Sequence, residues 1–253
     1  MLGWVSQQLN DHGVVVTTRL LGRVVMSRVR VEFGNKLLPA KVVCPCCGWR
    51  GRHFHDYIEV GYSGRNVVCP QCESHPRHRY LSLWLAREFE LEQKSGVALI
   101  FAPEKALAPV WEKAAHLKVY GIDIRASRGI EILADVKELP VESSSIDLVW
   151  CHHVLEHIKD DRAAIRELHR VLRPGSGELI VSVPMKLGTT TSEYGYPDPL
   201  QSGHWRMYGD DFEERLAQAG LIVQAMNFRL AEEEYRRYAF QPERFYVCKK
   251  MGD

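Results

Sequence analysis

The chain has 253 residues, of which 45% are hydrophobic and 26% charged. This suits one sizeable α/β domain with a small appendage, and the composition is that of an ordinary globular protein. No apolar run approaches the roughly 18–20 residues of a membrane span. The first residues lack the basic start, apolar stretch and cleavage site of a secretory signal, so a cytoplasmic protein with no membrane role is expected. The net charge of +1 conceals an asymmetry, since residues 1–95 hold 13 Lys/Arg against 8 Asp/Glu. A basic front half fits an acidic partner such as nucleic acid, and fits a plain solvated surface equally well.

Residues 1–40 stay unassigned; Leu20 to Phe33 is rich in Val and Arg and fits a helix or a strand. Residues 41–80 hold five of the seven cysteines, and such clustering in a cytosolic protein points to metal rather than disulfides. Cys44-Pro-Cys-Cys47-Gly and Cys69-Pro-Gln-Cys72 are two Cys-x-x-Cys turns separated by 21 residues. Two such knuckles can converge on one Zn²⁺, which takes four thiolates in a closed, structural tetrahedron. The expected ligands are Cys44, Cys47, Cys69 and Cys72, with Cys46 left over. His53, His55, His75 and His78 are weaker candidates. About 40 residues make too small a core, so the ion is expected to contribute much of the module's stability.

Residues 81–253 read as the main domain. A helix beginning at Tyr80 leads into it, with Leu81, Trp84, Leu85 and Phe89 at helical spacing. Val97–Phe101, Lys118–Ile122, Asp147–Cys151 and Glu178–Val183 read as buried strands. Pro109–Ala115 and Asp160–Leu172 read as helices, the second capped by Asp160 and closed by Pro174-Gly175. Phe212–Ala219 is a further helix, followed by strands at Leu221–Phe228 and Phe245–Lys249. Strands alternating with helices imply crossover units and a doubly wound α/β sheet.

Ligands of such sheets sit beyond the strand carboxyl ends. Asp123 ends the second strand, where a carboxylate can hold a ribose. Asp135 lies in the next strand-end turn, where it can accept from an adenine amino group. An Asp at either place can also be a simple helix cap.

The segments Ser145-Ile-Asp-Leu-Val-Trp-Cys-His-His-Val-Leu-Glu-His157 and Leu168-His-Arg-Val-Leu-Arg-Pro-Gly-Ser-Gly-Glu-Leu-Ile-Val-Ser-Val-Pro184 resemble the class I S-adenosylmethionine-dependent methyltransferases. The likeness is to the type 11 branch with a VLEH turn and an RVLRPGG helix exit, and it covers roughly residues 97–250. The CPCCGWRGR and CPQCES front end is similar to a zinc-bearing bacterial subgroup of that family. The resemblance implies a mostly parallel, seven-stranded, Rossmann-like sheet preceded by a zinc module. It also implies S-adenosylmethionine held by Phe101, Ala102, Pro103 and Glu104, by Asp123 and Ile124, by Asp135 and Val136, and by Cys151 and His152. One departure is the first loop, glycine-rich in the family but Phe101-Ala-Pro-Glu104 here. Without glycine the turn is expected to lose its positive-φ options and follow another path.

Methyl transfer needs positioning, plus a base if the acceptor is a hydroxyl or protonated amine. His153 and His204 are the expected bases, since an imidazole with pKa about 6.5 suits neutral pH; His153 and His157 can instead only cap and pack the next helix. Residues 191–209 read as a long Gly/Pro/aromatic loop closing over substrate, with His204, Arg206 and Tyr208 facing it. One arginine of Arg77-His78-Arg79 can pair with the cofactor carboxylate or lie in solvent. A small-molecule acceptor is expected. The alternatives are an RNA or ribosomal-protein modifier gripping its substrate through the zinc module, and a cofactor-binding protein without turnover.

Overall fold

The computed structural model describes residues 2–58 and 63–252. Helix α1 (Leu2–Leu37) is interrupted at Gly13, whose backbone is left-handed at φ 74°. The undecided segment is thus helical. Thr17, Leu20, Val24, Ser27 and Val31 recur every three or four residues as its covered positions, the period of one helix face. Four short strands follow: β1 (Val42–Val43), β2 (Arg50–Gly51), β3 (His55–Ile58) and β4 (Ser63–Val68). Then come α2 (Pro76–Arg87), β5 (Gly96–Phe101), α3 (Ala108–Trp111), β6 (Leu117–Asp123), β7 (Ile132–Leu133) and β8 (Leu148–His152). The remaining elements are α4 (Asp161–Val171), β9 (Glu178–Ser182), β10 (Ser192–Asp198), β11 (His204–Met207), α5 (Phe212–Ala217), β12 (Leu221–Ala225), α6 (Glu232–Tyr238) and β13 (Tyr246–Lys250). Among the described residues no helix is long and apolar enough to cross a membrane.

The chain forms two compact units. The first comprises the described part of Met1–Phe89 together with Lys105–Val110 and Arg229–Pro242. Here β1 pairs with β2 and β3 with β4, all antiparallel. Helix α1 is tied to β3 by Ser27 and Arg30 on Asp56 at 2.5 and 2.9 Å and by Glu32 on His55 at 2.7 Å. Arg79 is fully buried and lies over the Phe54 ring. It donates to the carbonyls of Val67, Ser74, Tyr238 and Ala239 at 2.6–2.9 Å. Of the two arginines read as either a cofactor partner or a solvated residue, Arg79 is neither: it is spent on four backbone acceptors, because a buried guanidinium must satisfy its donors.

The second unit comprises Glu90–Glu104, Trp111–Phe228 and the described part of Glu243–Asp253. Its seven-stranded sheet has the order β12-β13-β9-β8-β5-β6-β7. β13 runs antiparallel to both neighbours, and β9, β8, β5, β6 and β7 are parallel. The chain therefore winds from β5 outward through β6 and β7, then returns to β8 on the other side. That reversal places a crevice beyond the carboxyl ends of β5 and β8. All five residues of β8 are buried, as expected of a strand covered on both faces. α4 packs Ala164, Ile165, Leu168 and Val171 into the same core as Val149, Val181 and Phe212. Asp160 caps it by accepting from Ala163 N at 2.9 Å, as its sequence indicates.

Candidate functional site

The first unit brings together the four cysteines predicted to bind metal. One sulfur from each of Cys44, Cys47, Cys69 and Cys72 lies within 4.8 Å of the others. Cys44 and Cys72 stand 3.6 Å apart, and Cys47 and Cys69 3.7 Å. A zinc tetrahedron with Zn–S of about 2.3 Å has sulfur–sulfur edges of about 3.8 Å, so the thiols already hold that spacing. The two knuckles repeat one hydrogen-bond pattern. Gly48 N donates to Cys44 O and Cys44 N to Trp49 O; Glu73 N donates to Cys69 O and Cys69 N to Ser74 O. The residue after each second cysteine is left-handed, Gly48 at φ 78° and Glu73 at φ 63°. Only the first knuckle uses glycine for it. Cys46 is buried but outside the quartet.

In the second unit, the expected cofactor residues line the carboxyl ends of the central strands. Ala102 follows β5 at φ 44°, its N–H donating to Ile122 O at 2.8 Å. The glycine-free turn thus keeps a positive φ, contrary to expectation, and alanine bears the strain that glycine would avoid. Asp123 ends β6 half-buried, with one carboxylate oxygen accepting from Arg125 N at 2.9 Å. Ile124 is 68% exposed. Asp135 is exposed, accepts from Lys137 N and pairs with the Lys137 ammonium at 3.3 Å, while Val136 is buried. Gly121, within β6, is required by packing: a Cβ there would sit 2.0 Å from Gly129 O.

Beyond β8 the chain turns through His153 at φ 53°. Cys151 is enclosed in the core, where burial and Glu156 push its thiol pKa well up. His152 is also buried, with Nδ1 against Ser182 Oγ and Nε2 3.5 Å from Glu104. His153 has both ring nitrogens beside carboxylates, Nε2 at 2.6 Å from Glu243 and Nδ1 at 3.3 Å from Glu156. Burial opposes its charge, yet the two carboxylates outweigh it and raise its pKa to about 9. Glu156, in the 3-10 turn Leu155–His157, is 1% exposed. His157 stands edge-on to His204, their ring centroids 4.8 Å apart. Burial lowers the His204 pKa, and its Nδ1 is enclosed without a hydrogen-bond partner.

The segment expected as an open loop is a hairpin of β10 and β11. Its turn is built by Asp198 accepting from Leu200 N and by left-handed Ser202 and Gly203. Glycine and proline in β10 hide the strand alternation. Arg206 and Tyr208 do not face substrate. Arg206, 3% exposed, donates to the carbonyls of Leu155, Ile158 and Lys159 and to Glu193. Tyr208, fully buried, donates to Asp161 at 2.8 Å, which also accepts from Arg215 at 2.8 Å. These groups lock the hairpin to the turn after β8, because buried polar groups must be paired. Of the three residues expected on a lid, only His204 reaches the site. Glu156 was legible as the i+3 neighbour of His153 before a second histidine. Glu243, 90 residues from His153, left no local signal.

A doubly wound, seven-stranded sheet whose second strand from one edge is reversed has the Rossmann-like methyltransferase fold. Residues 103–181 match the family described as a methyltransferase domain. A probable S-adenosylmethionine-dependent methyltransferase of Mycobacterium tuberculosis is 36% identical over 99 residues, 38% of this chain and 35% of that protein. An O-methyltransferase of Pyrenophora dematioidea is 30% identical over 98 residues, 36% and 34% of the two chains. The chain spans about a third of the length of these curated relatives. Among solved structures, the YcgJ protein of Bacillus subtilis aligns at TM-score 0.46 and 15% identity, over 68% of this chain and 100% of that one.

The structural role of Arg206 is directly testable. Arg206→Met keeps the volume but removes the guanidinium donors of the Ile158 and Lys159 carbonyls and leaves Asp161 and Glu193 short of a cation. It should cost about 3–5 kcal/mol, seen as a melting temperature lower by roughly 10 °C. An unchanged melting temperature would return Arg206 to the substrate side.

Proposed function

We propose that the protein transfers a methyl group from S-adenosylmethionine to a small-molecule hydroxyl or amine at the carboxyl edge of β5, β6 and β8. The observation that carries this is the placement of Asp123 at the end of β6, with one carboxylate oxygen fixed by Arg125 N and the other without a hydrogen bond among the described residues. That donor set fits a nucleoside: Asp123 accepts from the ribose hydroxyls and Asp135 from the adenine amine, with buried Val136 beside it. The Phe101–Glu104 turn takes the place of the family's glycine-rich loop, and Ile124, Cys151 and His152 complete the edge. S-adenosylmethionine, when bound, supplies an electrophilic methyl on a sulfonium.

The residues after β8 then orient the acceptor. With both nitrogens facing carboxylates, His153 is a charged positioning group. His204 keeps a lone pair and is the better placed of the two expected bases. A small acceptor suits this edge because the groups that would meet it are largely shielded, His152 at 4% exposure among them.

One observation favours a second reading. The first unit has a cavity of about 670 Å³ whose lining includes Lys41, Arg50, Arg52, Arg236 and Arg237 against one acid, Glu233. A cleft of that charge suits the phosphates of a nucleic acid, which would make the acceptor an RNA or a ribonucleoprotein.

Two measurements test the assignment. Asp123→Ala should weaken S-adenosylmethionine binding by about 1–3 kcal/mol, roughly 5–150-fold by calorimetry; unchanged affinity would remove Asp123 from the site. The Cys44, Cys47, Cys69 and Cys72 quartet is proposed as one structural zinc site. Elemental analysis should give one zinc per chain, with Cys69→Ser poorly folded. A metal-free, stable protein would refute the zinc site.

A further inference from the structure

We propose that Glu156, His157 and His204 form a divalent-cation site at the acceptor edge, separate from the thiolate quartet. One ligand atom from each of the three lies within 4.8 Å of the others. Glu156 is 1% exposed, and among the described residues neither of its enclosed carboxylate oxygens has an aligned hydrogen-bond donor. His153 Nδ1 approaches Oε1 to 3.3 Å without aligning as a donor. His204 Nδ1 is likewise enclosed and unmatched. The charged His153 is an ion partner of Glu156 on one side only, at 3.3 Å, and a dry carboxylate with no aligned donor remains costly to hold. Two imidazoles and one carboxylate, each with a ligand atom within 4.8 Å of the others, are what a single cation would satisfy together.

The donor set selects the metal. Two imidazoles with one carboxylate suit Zn²⁺, Fe²⁺ or Co²⁺, whereas Mg²⁺ and Ca²⁺ prefer an all-oxygen shell. Three protein ligands leave a coordination position open, the signature of a reactive rather than a structural site. His157 is exposed, which gives the ion a way in. The supports are rigid: Glu156 and His157 share one turn, and His204 opens β11, which Arg206 ties to that turn.

The role of the ion rests on the methyl-transfer reading, although its binding does not. An acceptor hydroxyl in the open position has its pKa lowered and releases its proton to water. The resulting oxyanion donates an electron pair to the methyl carbon and a C–O bond forms. The C–S bond breaks with its pair returning to sulfur, so oxyanion and sulfonium become a neutral ether and a neutral thioether. His204 then acts as a ligand rather than as the base, and the acceptor class narrows to hydroxyl compounds.

The test adds Co²⁺ to zinc-loaded protein and follows visible absorption and metal content. We expect one cobalt per chain beyond the zinc, with d–d bands and no thiolate charge-transfer band. His204→Gln and His157→Gln should each weaken it at least tenfold, and the exposed position of His157 guards against loss of folding in that variant. No second ion, or an ion bound equally well by both variants, overturns the site. S-adenosylmethionine affinity is read in the same samples. Its presence without cobalt binding defeats this inference alone, and its absence defeats the methyl-transfer reading.

Discussion

β8 is hydrogen-bonded on both sides, to β5 from Leu148 to Trp150 and to β9 from Leu148 to His152, with every residue buried. A slip by one residue would exchange Val149 and Cys151 with Leu148, Trp150 and His152 between the two faces, and the packing on each would be lost. The end of this strand is therefore fixed in space, and the site hangs from it. His153 must leave the strand in a left-handed turn, which folds the 3-10 segment back and carries Glu156 into the interior. Everything polar around that carboxylate then becomes a matter of satisfying it.

The same constraint explains the hairpin. Carbonyls of Ile158 and Lys159 turn out of regular structure here, and Arg206 collects both along with Leu155 O, which also accepts from Ile158 N. Asp161, Tyr208 and Arg215 extend the pairing. His204, two residues before Arg206, is held against His157 by this lock rather than by its own contacts with the sheet. Arg79 serves the first unit in a similar way, joining β4, the second knuckle and the end of α6 through four carbonyls. In both units a buried arginine does what a larger apolar core would otherwise do.

Much of this was legible in the chain. Short apolar runs alternating with helical segments marked the six longer strands of the large sheet within a few residues, and thiol chemistry made the paired knuckles readable from spacing alone. Leu20–Phe33 was ambiguous because valines and arginines satisfy both periods; only burial at Leu20, Val24 and Val31 decides for a helix. The hairpin was obscured by Gly195 and Pro197 inside a strand. Arg206 was misassigned, and Arg79 left open, for a different reason. Apart from Ser74, their carbonyl acceptors lie 12 or more residues away, and a carbonyl belongs to every residue, so nothing in the sequence marks which will be used. The strained Ala102 shows that glycine's absence need not change a turn when surrounding hydrogen bonds hold it.

The central claim is that the carboxyl ends of β5, β6 and β8 hold a nucleoside cofactor. A crystal structure grown with S-adenosylhomocysteine tests it most directly. The account predicts ribose hydroxyls within hydrogen-bond distance of Asp123, the adenine beside Asp135 and Val136, and the sulfur directed toward the turn at His153. A nucleoside bound elsewhere, or a site empty at saturating ligand, would contradict it.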